Sequence, residues 1–240
     1  MDTSEMAPML VSTLSPVEGE SFLGYLLRVS EANGYKSPTW ITGLCGIPYS
    51  QFYRKKQDLN QLGAILGQTP ETLERLPWQY FPHQPSMWEN PIKVPSAYKS
   101  LILDKPKICS ACIEENGMTN PAWDIAWFHV CPRHKTFLST HCSECGEGIS
   151  WCRPGLNTCK CGAVFPFAVK RCTDDSVIEL LHHIDDLVHD RITDKKGYGG
   201  RKTEILAGFK FTELMSLLDR VSKVIEETDS GLVVRKINRS

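Results

Sequence analysis

Nine of the ten cysteines in this 240-residue chain fall between Cys109 and Cys172. They come in close pairs: Cys109-Ser110-Ala111-Cys112, then, after eighteen residues, Cys131-Pro132-Arg133-His134. Seven residues on lies Cys142-Ser143-Glu144-Cys145, and thirteen more lead to Cys159-Lys160-Cys161. A disulfide framework would spread its cysteines more evenly, whereas clustered pairs point to metal. Each pair is a knuckle that offers two side chains to one ion. Tetrahedral Zn²⁺ takes four such donors, so two knuckles complete a site. A redox Cys-x-x-Cys would need only one pair.

Consecutive pairing keeps each closing loop short and its entropic cost low. It assigns Cys109, Cys112, Cys131 and His134 to one site and Cys142, Cys145, Cys159 and Cys161 to the other. The alternative is an interleaved cross-brace in which knuckles one and three share an ion. His129 and His141 are the substitute donors within reach in sequence. Cys45, Cys152 and Cys172 remain, and small buried hydrophobes are a sufficient reading of them. Both sites are closed by four protein ligands, the mark of structural rather than catalytic zinc. No His-Glu-x-x-His occurs, and no His-x-Glu precedes a Pro-Cys-x-x-Cys. Two structural Zn²⁺ are thus expected, in place of a core that this segment looks too short and polar to build. Their thiolates would bring the segment's charge close to neutral.

Charge argues against a protein held on nucleic acid by phosphate contacts alone. Residues 1–95 carry 7 basic and 9 acidic groups, residues 96–172 carry 9 and 6, and residues 173–240 carry 11 and 13. No segment has the basic excess such binding demands. No apolar run approaches the ~18 residues of a membrane span, and the first eight residues lack the basic and apolar parts of a signal peptide. The expectation is a soluble, cytoplasmic protein without membrane contact.

The flanking segments read as helices, so the expected fold is mainly α with small zinc-ribbon elements. Ser21 caps a helix with Phe22, Tyr25, Leu26, Val29 and Ala32 on its apolar face, stopped by Asn33-Gly34. Ser37-Pro38 opens a second, carrying Trp40, Ile41, Leu44 and Cys45 to Gly46. Leu59, Leu62, Ile65 and Leu66 face one way on a third that ends at Gly67, and Thr69-Pro70 caps a fourth, Glu71 to Leu76. A helix, a Gly turn and a capped helix outline a helix-turn-helix, an outline that a protein-docking bundle shares. Trp40 and Phe52 are expected in the core, with Tyr49 and Tyr53 at the surface beside the basic run Arg54 to Lys56. Residues 77–96 hold five Pro and two Trp, the composition of an extended linker. Trp123 and Trp127 are expected in the core of the zinc module. Beyond Cys172, Asp174 caps a helix with Val177, Ile178, Leu181, Ile184, Leu187 and Val188 on one face. After the Gly-rich basic stretch 195–202, a second helix spans about Glu204 to Glu226. This C-terminal helical hairpin buries little alone and must dock elsewhere. The division is 1–95 helical, 96–172 tandem zinc-binding, and 173–240 helical.

These residues resemble the TniQ/TnsD family. The likeness rests on Glu20-Ser21-Phe22-Leu23-Gly24-Tyr25-Leu26-Leu27-Arg28 with Asn33-Gly34. It continues through Cys109-x-x-Cys112, Trp123, Cys131-Pro132-Arg133-His134, Leu138 and Cys142-x-x-Cys145-Gly146, over residues 15–167. The resemblance implies a non-enzymatic target-selection subunit of Tn-seven-like and CRISPR-associated transposons. Such a subunit links a targeting device to a TnsC-like AAA+ transposition ATPase. The device is either attachment-site DNA or an RNA-guided CRISPR effector with its guide RNA and target DNA, and homo-oligomers are within its scope. The short length and modest charge favour the effector. Arg54, Lys55, Lys56, Arg133 and Lys135 are the candidate phosphate contacts. A stand-alone, zinc-containing, sequence-specific DNA-binding regulator is the competing reading.

Overall fold

A computed structural model describes residues 10–46, 59–76, 105–168, 170–189, 209, 211 and 213–218. Helix α1 (Phe22–Ala32) starts where Ser21, in extended backbone, accepts a hydrogen bond from the Gly24 amide. It ends at Asn33, with Gly34 at a φ of 70°. Helix α2 (Thr39–Leu44) begins at Pro38, with the Ser37 hydroxyl accepting from the Thr39 amide. Helices α3 (Leu59–Leu66) and α4 (Pro70–Glu74) follow, α4 capped by Thr69. The metal-ligand region contributes α5 (Ser110–Asn116), a 3-10 turn at Pro121–Asp124, and strands β1 (Val130–Cys131) and β2 (Thr136–Phe137). The strands pair antiparallel, Val130 with Phe137 and Cys131 with Thr136. Helix α6 (Asp175–Val188) is capped by Asp174, whose carboxylate accepts from the amides of Ser176 and Val177. Residues 213–218 are also helical. No described helix is long and apolar enough to cross a membrane.

Two hydrophobic cores organise these elements. The first joins Phe22, Tyr25, Leu26 and Val29 of α1 to Ile41, Leu62, Ile65, Leu66 and Leu73. The second gathers Ile108, Trp123, Ile125, Phe128, Val130, Ile149, Trp151, Leu156 and Phe165. Leu27 of α1, Leu181, Ile184 and Val188 of α6, and Phe211, Leu214 and Met215 complete it. The expectation that metal replaces a core in residues 96–172 is therefore corrected. The segment supplies much of a core and borrows the rest from α1 and from the chain after Cys172. Helix α6 meets the expectation that it must dock.

Several side chains depart from the helical patterns. Ala32 is exposed, while Leu27, outside the apolar face read from the sequence, is fully buried. Helix α1 is buried on two sides, which a single-face pattern does not describe. Trp40, expected in the core, is 62% exposed and stacks on Tyr35 with centroids 5.9 Å apart. Helix α2 spans only six residues and turns Ile41 and Cys45 inward, so Trp40 and Leu44, one turn apart, lie outward. Trp123 is buried as expected, but Trp127 is partly exposed, as is Val177. Cys45 is buried, whereas Cys152 and Cys172 are only half-buried. Tyr49, Phe52, Tyr53, Arg54 to Lys56, residues 77–96, residues 195–202 and most of Glu204 to Glu226 lie outside the described residues.

Candidate metal centres

The first cluster is assembled by a helix start and a hairpin. Cys109 is the N-cap residue of α5, which carries Cys112 in its first turn. Exposed amide hydrogens at a helix N-terminus favour a thiolate there. Cys131 ends β1, and His134 sits in the turn before β2. Lys135 closes that turn in the left-handed region at a φ of 54°. His134 Nδ1 lies 3.4 Å from Cys109 Sγ, 3.2 Å from Cys112 Sγ and 3.5 Å from Cys131 Sγ, and the Cys112 and Cys131 sulfurs are 3.5 Å apart.

The second cluster sits between loops. Cys142 and Cys145 flank a turn closed by the Gly146 amide donating to the Cys142 carbonyl at 2.9 Å. The Gly162 amide does the same at Cys159. Gly146 and Gly162 have φ of 73° and 91°, where a side chain would be strained. Cys142 Sγ lies 3.8 Å from Cys161 Sγ, and Cys145 Sγ lies 3.7 Å from Cys159 Sγ.

In each set the four donor atoms all lie within 4.8 Å of one another. A zinc–sulfur bond of ~2.3 Å implies tetrahedral sulfur–sulfur edges of about 3.8 Å, which the second cluster matches and the first approaches. The grouping is consecutive, not interleaved, and neither His129 nor His141 enters a cluster. His141 instead pairs with the Thr140 hydroxyl at 2.8 Å. Both donor sets fit a four-coordinate, thiolate-rich metal and leave no position for a substrate.

The electrostatics agree. Hydrogen bonds from Cys112 and Cys131 hold the Cys109 thiol far below the usual thiol range, and the same sharing with Cys109 pushes Cys112 and Cys131 up. Crowded thiolates repel one another, so full ionisation of the set calls for a cation among them. The backbone amide of Cys145 lowers Cys142 to about 7.

Glu115 was not singled out in the sequence. Its Oε1 pairs with His134 Nε2 at 3.0 Å, and its Oε2 bridges Arg133 at 2.8 Å. A carboxylate on the far nitrogen orients the imidazole and leaves Nδ1 for the metal. The available signal was Cys112-x-x-Glu115, one helical turn past a ligand on α5. Of the candidate phosphate contacts, Arg133 is thus engaged by Glu115, and Lys135 Nζ lies 3.8 Å from Asp175.

Lys107 and Asp124 are buried ionisable residues of this region. Lys107 Nζ donates to the carbonyls of Ile125 at 2.7 Å and Ala126 at 3.2 Å. Burial lowers Lys107 to about 8 and raises Asp124 to about 8, the latter opposed by the charges of Lys107 and Arg153.

No curated protein matches the chain. The family model described as TniQ matches residues 11–138, which include α1 to α4, the first cluster and the β-hairpin, and stops before Cys142. That stretch is more than half of the 240 residues, and on this match the chain belongs to the TniQ family of transposition-associated adaptors.

Proposed function

We propose that the chain is a non-enzymatic target-selection adaptor for transposition. It would link a targeting module, an RNA-guided CRISPR effector or attachment-site DNA, to a TnsC-like AAA+ ATPase. Two structural Zn²⁺ would be held by Cys109, Cys112, Cys131 and His134, and by Cys142, Cys145, Cys159 and Cys161. Residues 1–95 would act as a helical docking unit, 96–172 as the zinc module and 173–240 as a helical brace, with self-association available to the assembly. The observation that carries this reading is that, among the described residues, a TniQ-family chain brings together two sets of four donors, each of which would close around one ion. The zinc would thus shape surfaces, and the chemistry would belong to partners.

Two features favour protein contact over independent reading of DNA. Helix α4, the second helix of the helix-turn-helix outline, is five residues long and carries Glu71 in its first turn. An acidic residue there is a poor start for a duplex-reading helix. Trp40 is largely exposed and lies beside Leu44, and exposed Trp is the residue type that most often concentrates binding energy at protein interfaces. Trp40→Ala should leave zinc content and unfolding midpoint unchanged and should weaken capture of the protein by the ATPase oligomer on DNA by about 2 kcal/mol or more. Undiminished capture would remove Trp40 from the docking face. Tight, sequence-specific duplex binding by the isolated protein would overturn the adaptor reading and support the stand-alone regulator.

A further inference from the structure

Helix α1 is the wall between the two cores, and its polar side chains reach the metal-ligand region at both ends. Near its start, Ser21 Oγ lies 3.1 Å from Thr119 Oγ1, and the Ser21 amide donates to the Thr119 carbonyl at 3.4 Å. A Cβ added at Gly24 would overlap Thr119 Oγ1, so this approach requires glycine. Near its end, Glu31 Oε2 accepts a hydrogen bond from the Leu156 amide at 3.0 Å. A Cβ added at Gly155 would overlap the same carboxylate. The loop receiving Glu31 is itself braced. Arg153, 1% exposed, donates to the carbonyls of Ser150, Gly155 and Leu156 at 2.8, 3.0 and 3.0 Å. Gly155 also bridges to Thr158, the residue before Cys159. The chain of contacts from helix to cluster therefore runs Glu31, Leu156, Gly155, Thr158, Cys159.

We propose that Glu31 is a positioning residue that couples the second metal cluster to the docking of the helical unit, so that metal at that cluster and the seating of α1 stabilise each other. This rests on reading the second cluster as a metal site. A braced loop has one arrangement that accepts Glu31 and also presents Cys159 and Cys161 to Cys142 and Cys145. Whatever fixes one end of that loop fixes the other, and such linkage is reciprocal in free energy. In this reading Gly24 and Ser21, part of the stretch by which the family likeness was recognised, belong to the joint between the two cores.

The test uses the full-length, zinc-loaded protein, with excess chelator and a zinc indicator to time release of each ion. In Glu31→Ala, one of the two ions should leave about tenfold faster than in wild type, within the usual range of coupling between sites. The other should leave at the wild-type rate. Glu31→Gln, which keeps an acceptor oxygen for the Leu156 amide, should restore the wild-type trace. Reciprocally, Cys161→Ser should speed amide exchange over residues 29–34 about tenfold, and should add nothing further in the Glu31→Ala background. Equal acceleration of both ions would mean general loosening and would overturn the proposal, as would unchanged release. A wild-type protein holding fewer than two zinc ions would overturn the metal reading itself, and the coupling with it.

Discussion

Leu27→Ala tests whether α1 truly serves two cores. Leu27 is fully buried, and it belongs to the core of the metal-ligand region, not to the helical core that receives Tyr25, Leu26 and Val29. The change removes roughly three carbons from a dry site, a transfer loss of about 2.4 kcal/mol at ~0.8 kcal/mol per CH₂. Trp123, Ile108 and Phe128 of the same core are 2%, 0% and 0% exposed, so this core has little freedom to collapse into the gap. The unfilled cavity should bring the total to about 3–5 kcal/mol. For a chain of this size that is a fall in Tm of roughly 10 °C. Denaturation in saturating zinc can be followed by tryptophan fluorescence, because Trp123 and Trp151 lie in the same core, 2% and 3% exposed. Ala32→Ser is the matched control. Ala32 falls at the spacing of the apolar face but is exposed, so its replacement should stay within about 0.5 kcal/mol. A Leu27→Ala loss below about 1 kcal/mol, or an Ala32→Ser loss as large as that of Leu27→Ala, would refute the two-sided burial of α1.

Metal analysis of the purified protein should give two zinc ions per chain. Cys112→Ser should lose one and unfold the module around it, since structural zinc commonly supplies ~10–16 kcal/mol of folding free energy; Cys172→Ser should lose none, and a wild-type count near one or zero would defeat the assignment. Glu115→Gln should weaken zinc at the first cluster by about 10–100-fold while the second cluster holds its ion, as read by competition with a chelating indicator. The buried acid gives a signed pH effect. Because the folded pKa of Asp124 is raised to about 8 from 3.8, its contribution is present below about pH 4 and is lost as pH rises through 8. Lys107, lowered to about 8 from 10.5, acts oppositely, adding stability from about pH 8 to 10.5. Asp124→Asn should therefore gain on wild type between pH 5 and 8 in urea unfolding, and a gap independent of pH would contradict the burial of an ionisable Asp124.

Local rules of sequence were enough for much of this protein. Ser21, Thr69 and Asp174 cap helices as their side-chain oxygens dictate, and glycines at 34, 46 and 67 stop them in the left-handed region. The grouping of the eight residues into two clusters was legible because donors able to share one ion come as closely spaced pairs, and short loops made consecutive pairing the least costly closure. Tertiary structure decided what spacing cannot encode. Helical periodicity identifies one apolar face, so it assigned α1 to a single core and missed Leu27. It also placed Trp40 inside, because an apolar residue type on a six-residue helix does not say which side has a neighbour. Glu115 became a partner of His134 only when α5 was packed beside the β1–β2 turn. Glu31, distant from Leu156 by 125 residues, met its amide only when α1 lay against the braced loop. Contacts within a turn of helix or a knuckle are set by the residues that make them, while contacts across the chain depend on which surfaces the two cores bring together.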